Sequence, residues 1–123
     1  MSDNSFDYSL FDNIGFPTRN YAADKWIFMA EDAGERMFIV RSGEVRIINN
    51  GSVIEVVRQH GVFGEMSLID GAPRAASAKT TSPTELIAID RPSFFRLVQG
   101  NPEFSLQIMR SMALRIRQLT ETI

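Results

Sequence analysis

Hydrophobic and polar positions change rhythm twice along the chain. Between Asn20 and Asp90 the apolar residues come in short β-type runs: Trp26–Met29, Met37–Arg41, Glu44–Asn49, Val53–Val57, Ala75–Thr80 and Thr84–Asp90. Turn residues separate them. Ser42-Gly43 joins one pair, Asn50-Gly51 another, and Ser82-Pro83 splits the last two. Asn-Gly is a strong hairpin signal because both residues tolerate positive φ. Short strands with tight turns predict an antiparallel barrel or sandwich. After Asp90 the period becomes helical. Pro92 opens one helix and Gly100 stops it. Asn101 then serves as N-cap, with Pro102 at the first position and Glu103 in the first turn of a helix running to about Thr120.

That last helix carries two apolar strips. Met109, Met112, Ile116, Leu119 and Ile123 alternate spacings of three and four, a heptad-like seam, with Phe104 and Ile108 beside it. One strip suffices to cover the β-core, so the other is available to a partner or to a ligand site. Ahead of the strands, Phe6, Leu10, Phe11 and Ile14 recur at helical spacing within Met1–Phe16 and predict a short docked helix that Pro17 ends. The chain therefore divides into a lead segment, 1–18, and a single domain, 19–123, with strands over about 19–90 and helices over about 92–121.

Composition narrows the functions open to this fold. A chain of 123 residues suits one domain. With 13 Lys and Arg against 15 Asp and Glu, the net charge of −2 offers no basic excess for nucleic acid. The absence of cysteine excludes disulfides, thiolate metal sites and cysteine nucleophiles, and a single histidine, His60, excludes His–His metal ligation. No apolar run approaches the roughly 20 residues that span a bilayer. The polar, acidic N-terminus does not resemble a signal peptide, so a cytoplasmic location is expected.

The chemistry concentrates between Gly61 and Ser77. Gly61 and Gly64 allow a turn and a close backbone approach, and Glu65–Asp70 has room for a short helix whose first N–H groups can face an anion. Gly71-Ala72-Pro73 breaks that helix, and Arg74 opens the next strand. A chain that folds back in this way brings a guanidinium over the same N–H groups, which suits one phosphate. Glu65, an anion itself, cannot bind phosphate but can accept hydrogen bonds from the hydroxyls of a sugar. The residues thus suggest a sugar-phosphate ligand.

Phe63-Gly64-Glu65-Met66-Ser67-Leu68 followed by Pro73-Arg74-Ala75-Ala76-Ser77 resembles the phosphate-binding cassette of the cyclic nucleotide-binding domain family. Phe28–Val45 resembles the family's early strands, and the two final helices match in position, so the likeness spans roughly residues 20–120. It implies a β jelly-roll barrel with flanking helices that binds a cyclic nucleotide in a bacterial-type signalling receptor, not an enzyme. By the family's pattern Arg74 pairs with the phosphate, Glu65 and the Gly64 backbone hold the ribose 2′-hydroxyl, and Met66, Ser67 and Ala75 complete the cradle. Ala75 directly after the arginine implies cAMP over cGMP, since cGMP-preferring cassettes often carry threonine there. The family's terminal helix touches the base near Leu119 and Thr120, so Thr120 is a candidate base contact. A family glycine is replaced by Glu31. No output domain of the kind found in transcription regulators, kinases or channels fits before Ile123, so the signal would pass to a protein effector or to a homodimer formed through the C-terminal helix. The alternatives are a ligand-independent dimerisation or interaction module, and a fragment of a larger cAMP-responsive regulator.

Blander readings stand beside these. Glu65 and Arg74 alone would suit a structural ion pair. Ser67, with no base partner, is a helix-start residue and not a nucleophile. His60 is expected in an exposed loop, and Asp32 and Glu35 in a surface turn without the oxygen ligands of a calcium loop. Arg110, Arg115 and Arg117 are expected on the solvated side of the last helix.

Overall fold

The computed structural model describes residues 15–121, with side chains through residue 118. The predicted lead helix falls mostly on residues 1–14, outside the described residues. Two strands organise everything else. In β3 (Arg36–Ser42) and β8 (Thr84–Asp90), side chains alternate between two apolar environments. Phe38, Val40, Leu86 and Ala88 point one way, while Met37, Ile39, Ile87 and Ile89 point the other. Both faces are buried, which is why these runs are almost continuously hydrophobic.

The first face looks across to a second sheet. β1 (Thr18–Tyr21), β8, β3 and β6 (Val62–Phe63) form one antiparallel sheet in that order. β2 (Trp26–Phe28), β7 (Ser77–Thr80), β4 (Val45–Asn49) and β5 (Ser52–Val57) form the other. Between them, Phe38, Val40, Phe63, Leu86 and Ala88 meet Val45, Val57 and Ala78 in one cluster. This is the jelly-roll type of sandwich expected from the sequence, with sheets that do not close into a continuous barrel.

The second face carries the helices. α1 (Met66–Asp70) contributes Leu68, α2 (Arg91–Gly100) Phe94, and α3 (Pro102–Glu121) Phe104 and Ile108, all packed on Met37, Ile39, Val62, Ile87 and Ile89. Phe104 has no exposed surface, and full burial of such a side chain contributes about 2–3 kcal/mol. The helix starts follow the expected caps. The Asp90 carboxylate accepts the Ser93 N–H at 3.0 Å, an interaction that holds its pKa below the ordinary 3.8, and Asn101 Oδ1 accepts the Phe104 N–H at 3.1 Å.

Turns differ from expectation in one respect. Asn50-Gly51 closes the β4–β5 hairpin with φ values of 51° and 79°. Ser42-Gly43, by contrast, is no hairpin: β3 pairs with β8 and β6, so this turn carries the chain from one sheet to the other. His60, expected exposed, is half-buried in a left-handed turn and donates its backbone N–H to Val40 O at 2.6 Å.

Candidate functional site

Three segments converge beside β6. Gly64 turns the chain out of that strand at φ +82° and leads through Glu65 into α1. Arg74 follows the break after α1 and precedes β7. The β2–β3 turn grips Arg74 by its main chain: the Arg74 N–H donates to Asp32 O at 2.9 Å, and the Glu31 N–H to Arg74 O at 2.8 Å. Glu31 occupies the left-handed region at φ 75°, the conformation that explains why its position suits glycine. Gly34, in the same turn, makes the closest approach. A methyl group there would lie 2.3 Å from Ser67 Cβ and 3.0 Å from Arg74 Cζ.

The Arg74 guanidinium is 4% exposed and rests on main-chain oxygens. Nη1 donates to Gly64 O at 2.7 Å and Nη2 to Arg36 O at 2.5 Å, with Cζ 4.1 Å from the Phe28 ring centre. Its Nε–H is buried with no hydrogen-bond partner. Desolvation lowers its pKa, and the fields of Glu65 and Asp32 oppose that loss. Among the described residues, Glu65 and Arg74 form no ion pair with each other, so the structural-pair alternative finds no contact to rest on.

Glu65 is paired instead with Arg115 of α3. It is 1% exposed, and Arg115 Nη1 donates to both of its oxygens, to Oε2 at 2.8 Å. The same guanidinium donates through Nη2 to Val62 O at 2.7 Å and to Glu55 Oε2 at 3.3 Å, while Nε faces Glu55 Oε1 at 3.3 Å. Burial favours the neutral arginine, yet Glu65 and then Glu55 outweigh it and raise the pKa. This corrects the expectation that Arg115 lies on the solvated side of the helix with Arg110 and Arg117, which are exposed. Phe104, Ile108 and Ser111 are buried, and Arg115 continues their spacing of four, three and four residues. That continuation was the available signal, obscured because an arginine on a helix suggests water.

Around these groups lies a cavity of about 460 Å³, within the range of small-ligand sites. All six residues read from the sequence line it: Gly64, Glu65, Met66, Ser67, Arg74 and Ala75. So do residues that sequence reasoning missed. Phe28, Ile47, Ile54 and Phe63 supply apolar wall, and Glu55, Arg115 and Gln118 supply polar groups. The Thr120 side chain lies outside the described residues. Among the described residues no cluster of His, Asp and Glu is placed to hold a metal ion.

The family model for the cyclic nucleotide-binding domain matches residues 18–101, which include the whole of this site except its α3 wall. The chain belongs to the cyclic nucleotide-binding domain family. Within the family it is similar to the cyclic AMP receptor protein of Thermus thermophilus, 32% identical over 108 residues, covering 84% of this chain and 50% of that protein. The crystal structure of the Thermus thermophilus catabolite activator protein superposes with a TM-score of 0.79 at 31% identity, covering 87% of this chain and 53% of the other. The regulatory domain of Toxoplasma gondii PKA, crystallised with cAMP, matches with a TM-score of 0.63 at 30% identity, covering 68% and 33%. The chain spans about half the length of the curated relatives it matches. The described jelly roll and helices are the family's fold.

Proposed function

We propose that this domain is a cAMP receptor that binds its ligand reversibly, without chemistry, and passes the signal through α3. The observation that carries the reading is Arg74. A buried guanidinium without a carboxylate in contact, and with one N–H unsatisfied, is costly unless an anion completes it. A cyclic phosphate in the cavity would take that role, with the main-chain N–H groups of Ser67 and Ala75 beside it. Glu65, acceptor-only when ionised, would hold the ribose 2′-hydroxyl while keeping its Arg115 contact. Thr120 would touch the base. Ala75 in place of threonine supports adenine, as do the names of the Thermus relative and the Toxoplasma complex.

Signal transfer follows from where Glu65 is tied. Its partner Arg115 belongs to α3, so a ligand that engages Glu65 acts on that helix directly. Met109 and Ile116 of α3 are more than half exposed and offer the surface through which a protein effector or a second copy of the chain would dock. No described helix is long and apolar enough to cross a membrane, and the work of such a receptor is cytoplasmic.

Isothermal titration calorimetry on protein unfolded and refolded to remove co-purified nucleotide tests the reading. Saturable cAMP binding is expected, with Arg74→Ala weakening it at least tenfold, because a charge-assisted hydrogen bond contributes about 1.5–3 kcal/mol. An Arg74→Ala variant that binds as tightly as wild type removes the phosphate assignment. No heat with either cAMP or cGMP, together with ligand-independent dimerisation, would favour an interaction module.

A further inference from the structure

We propose that Phe28 is the positioning residue of Arg74: its ring face holds the guanidinium in place while leaving the Nε–H for an anionic ligand to take. The inference rests on the receptor reading above and concerns how its phosphate site is made ready. Arg74 Cζ lies over the Phe28 ring, 4.1 Å from its centre. The negative face of an aromatic ring attracts a cation, most strongly where water is excluded, and Arg74 is buried. The position of the ring is itself set by the fold. β2 and β7 pair Trp26 with Lys79 and Phe28 with Ala78, so the ladder shifts between the two pairs. Residues two apart on a regular strand share a face, and an irregularity of this kind re-aims one of them. Trp26 therefore stands exposed beside Lys79, whereas Phe28 turns inward onto the cluster between the sheets. There its ring meets Phe38 at 6.3 Å and Phe63 at 6.0 Å, and those two, paired across β3 and β6, lie 5.3 Å apart. Packed core thus backs the ring under Arg74.

A ring suits this task better than the alternatives. A carboxylate would satisfy the guanidinium and compete with a phosphate for it. An aliphatic side chain would leave the cation desolvated with no attraction in return. The ring attracts the charge without taking up a hydrogen bond of the kind an anion needs. The main-chain oxygens of Gly64 and Arg36 engage Nη1 and Nη2, and the buried Nε–H is left without a partner. Among the described residues no carboxylate touches Arg74. Holding a recognition group in its bound orientation raises affinity, because the ordering cost is no longer met in the binding step.

Replacing Phe28 with mono-, di- and trifluorinated phenylalanine drains the negative ring face stepwise at nearly constant shape. Calorimetric titration of each variant with cAMP is the test. The dissociation constant is expected to rise at every step and to reach about tenfold with the trifluorinated ring. The same series made in Arg74→Ala is expected to be flat, because the ring acts through the guanidinium. Phe28→Leu, which keeps an apolar side chain and loses the ring, is expected to weaken binding at least tenfold. An affinity that stays constant along the fluorinated series overturns the proposal even if Phe28→Leu binds weakly, since packing alone then explains the loss. A slope that persists in Arg74→Ala overturns it as well, because the ring then acts on the ligand directly. A wild type that binds no cAMP removes the receptor reading and this inference together, whereas wild-type binding with a flat series removes the role of Phe28 alone.

Discussion

The ion pair between Glu65 and Arg115 sets a stability cost that can be worked out in advance. Arg115→Met keeps an unbranched side chain of good helix propensity and deletes the counter-charge. Glu65, at 1% exposure, is then left as a buried carboxylate. Breaking a buried pair in this way costs about 3–5 kcal/mol. The Arg115 side chain keeps 19% exposure and Glu55 26%, so solvent screens part of the network and the lower end, about 3 kcal/mol, is expected. At about 4 °C per kcal/mol for a domain of this size, the melting temperature should fall by about 12 °C. Urea unfolding with a common m-value reads the loss directly. Adding Glu65→Gln should restore part of it, with a coupling energy of about 2 kcal/mol across the double-mutant cycle. Because the pKa of Arg115 is raised, its positive charge, and with it this contribution, is fully present throughout the neutral range. A loss below about 0.5 kcal/mol, the scale of an ordinary surface substitution, would refute the reasoning and mean that Glu65 reaches water on its own.

Two substitutions in the β2–β3 turn should act in opposite directions. Gly34→Ala places a methyl group 2.3 Å from Ser67 Cβ and 3.0 Å from Arg74 Cζ, so the turn or α1 must shift, at about 1–3 kcal/mol and with at least tenfold weaker cAMP binding; calorimetry that finds unchanged affinity would show the turn yielding without moving Arg74. Glu31→Gly relieves a left-handed residue at φ 75°, worth about 1–2 kcal/mol before the extra entropy lost by glycine, about 0.5–1 kcal/mol. A rise of a few degrees in melting temperature is therefore expected, and a fall would show that the Glu31 side chain contributes more than the strain it imposes.

Legibility in the sequence followed how local each signal was. β8 is found at Thr84–Asp90 as the pattern predicts, and Asn50-Gly51 makes its hairpin, because each needs only neighbouring residues to be recognised. β1 and β6 went unread. β1 is largely exposed and polar, with no alternation to detect, and β6 has only two residues between His60-Gly61 and Gly64. The cavity divides along the same line. Glu65 and Arg74 sit within a contiguous motif, so their proximity was inferable. Phe28, Glu55 and Arg115 come from elements far apart in sequence and read locally as two strand residues and one solvated cation. Only the fold places Phe28 beneath the Arg74 guanidinium and Arg115 between two acids.

α3 joins the parts of this molecule that otherwise have no reason to communicate. Its buried stripe, Phe104, Ile108 and Ser111, fixes the helix to the outer face of the β3–β8 sheet, and Arg115 extends that stripe into the ligand cavity. Met109 and Ile116 stand on the remaining surface of the helix, exposed. On the proposed reading, a ligand that shifts α3 through Arg115 moves the exposed strip with it, because both belong to one helix. Linkage then works in both directions: whatever factor a ligand at Glu65 imposes on docking at Met109 and Ile116, docking there imposes on ligand affinity. On that reading the nucleotide affinity of the isolated domain belongs to α3 with the strip uncovered, and titration in the presence of a partner that covers it is expected to give a different constant.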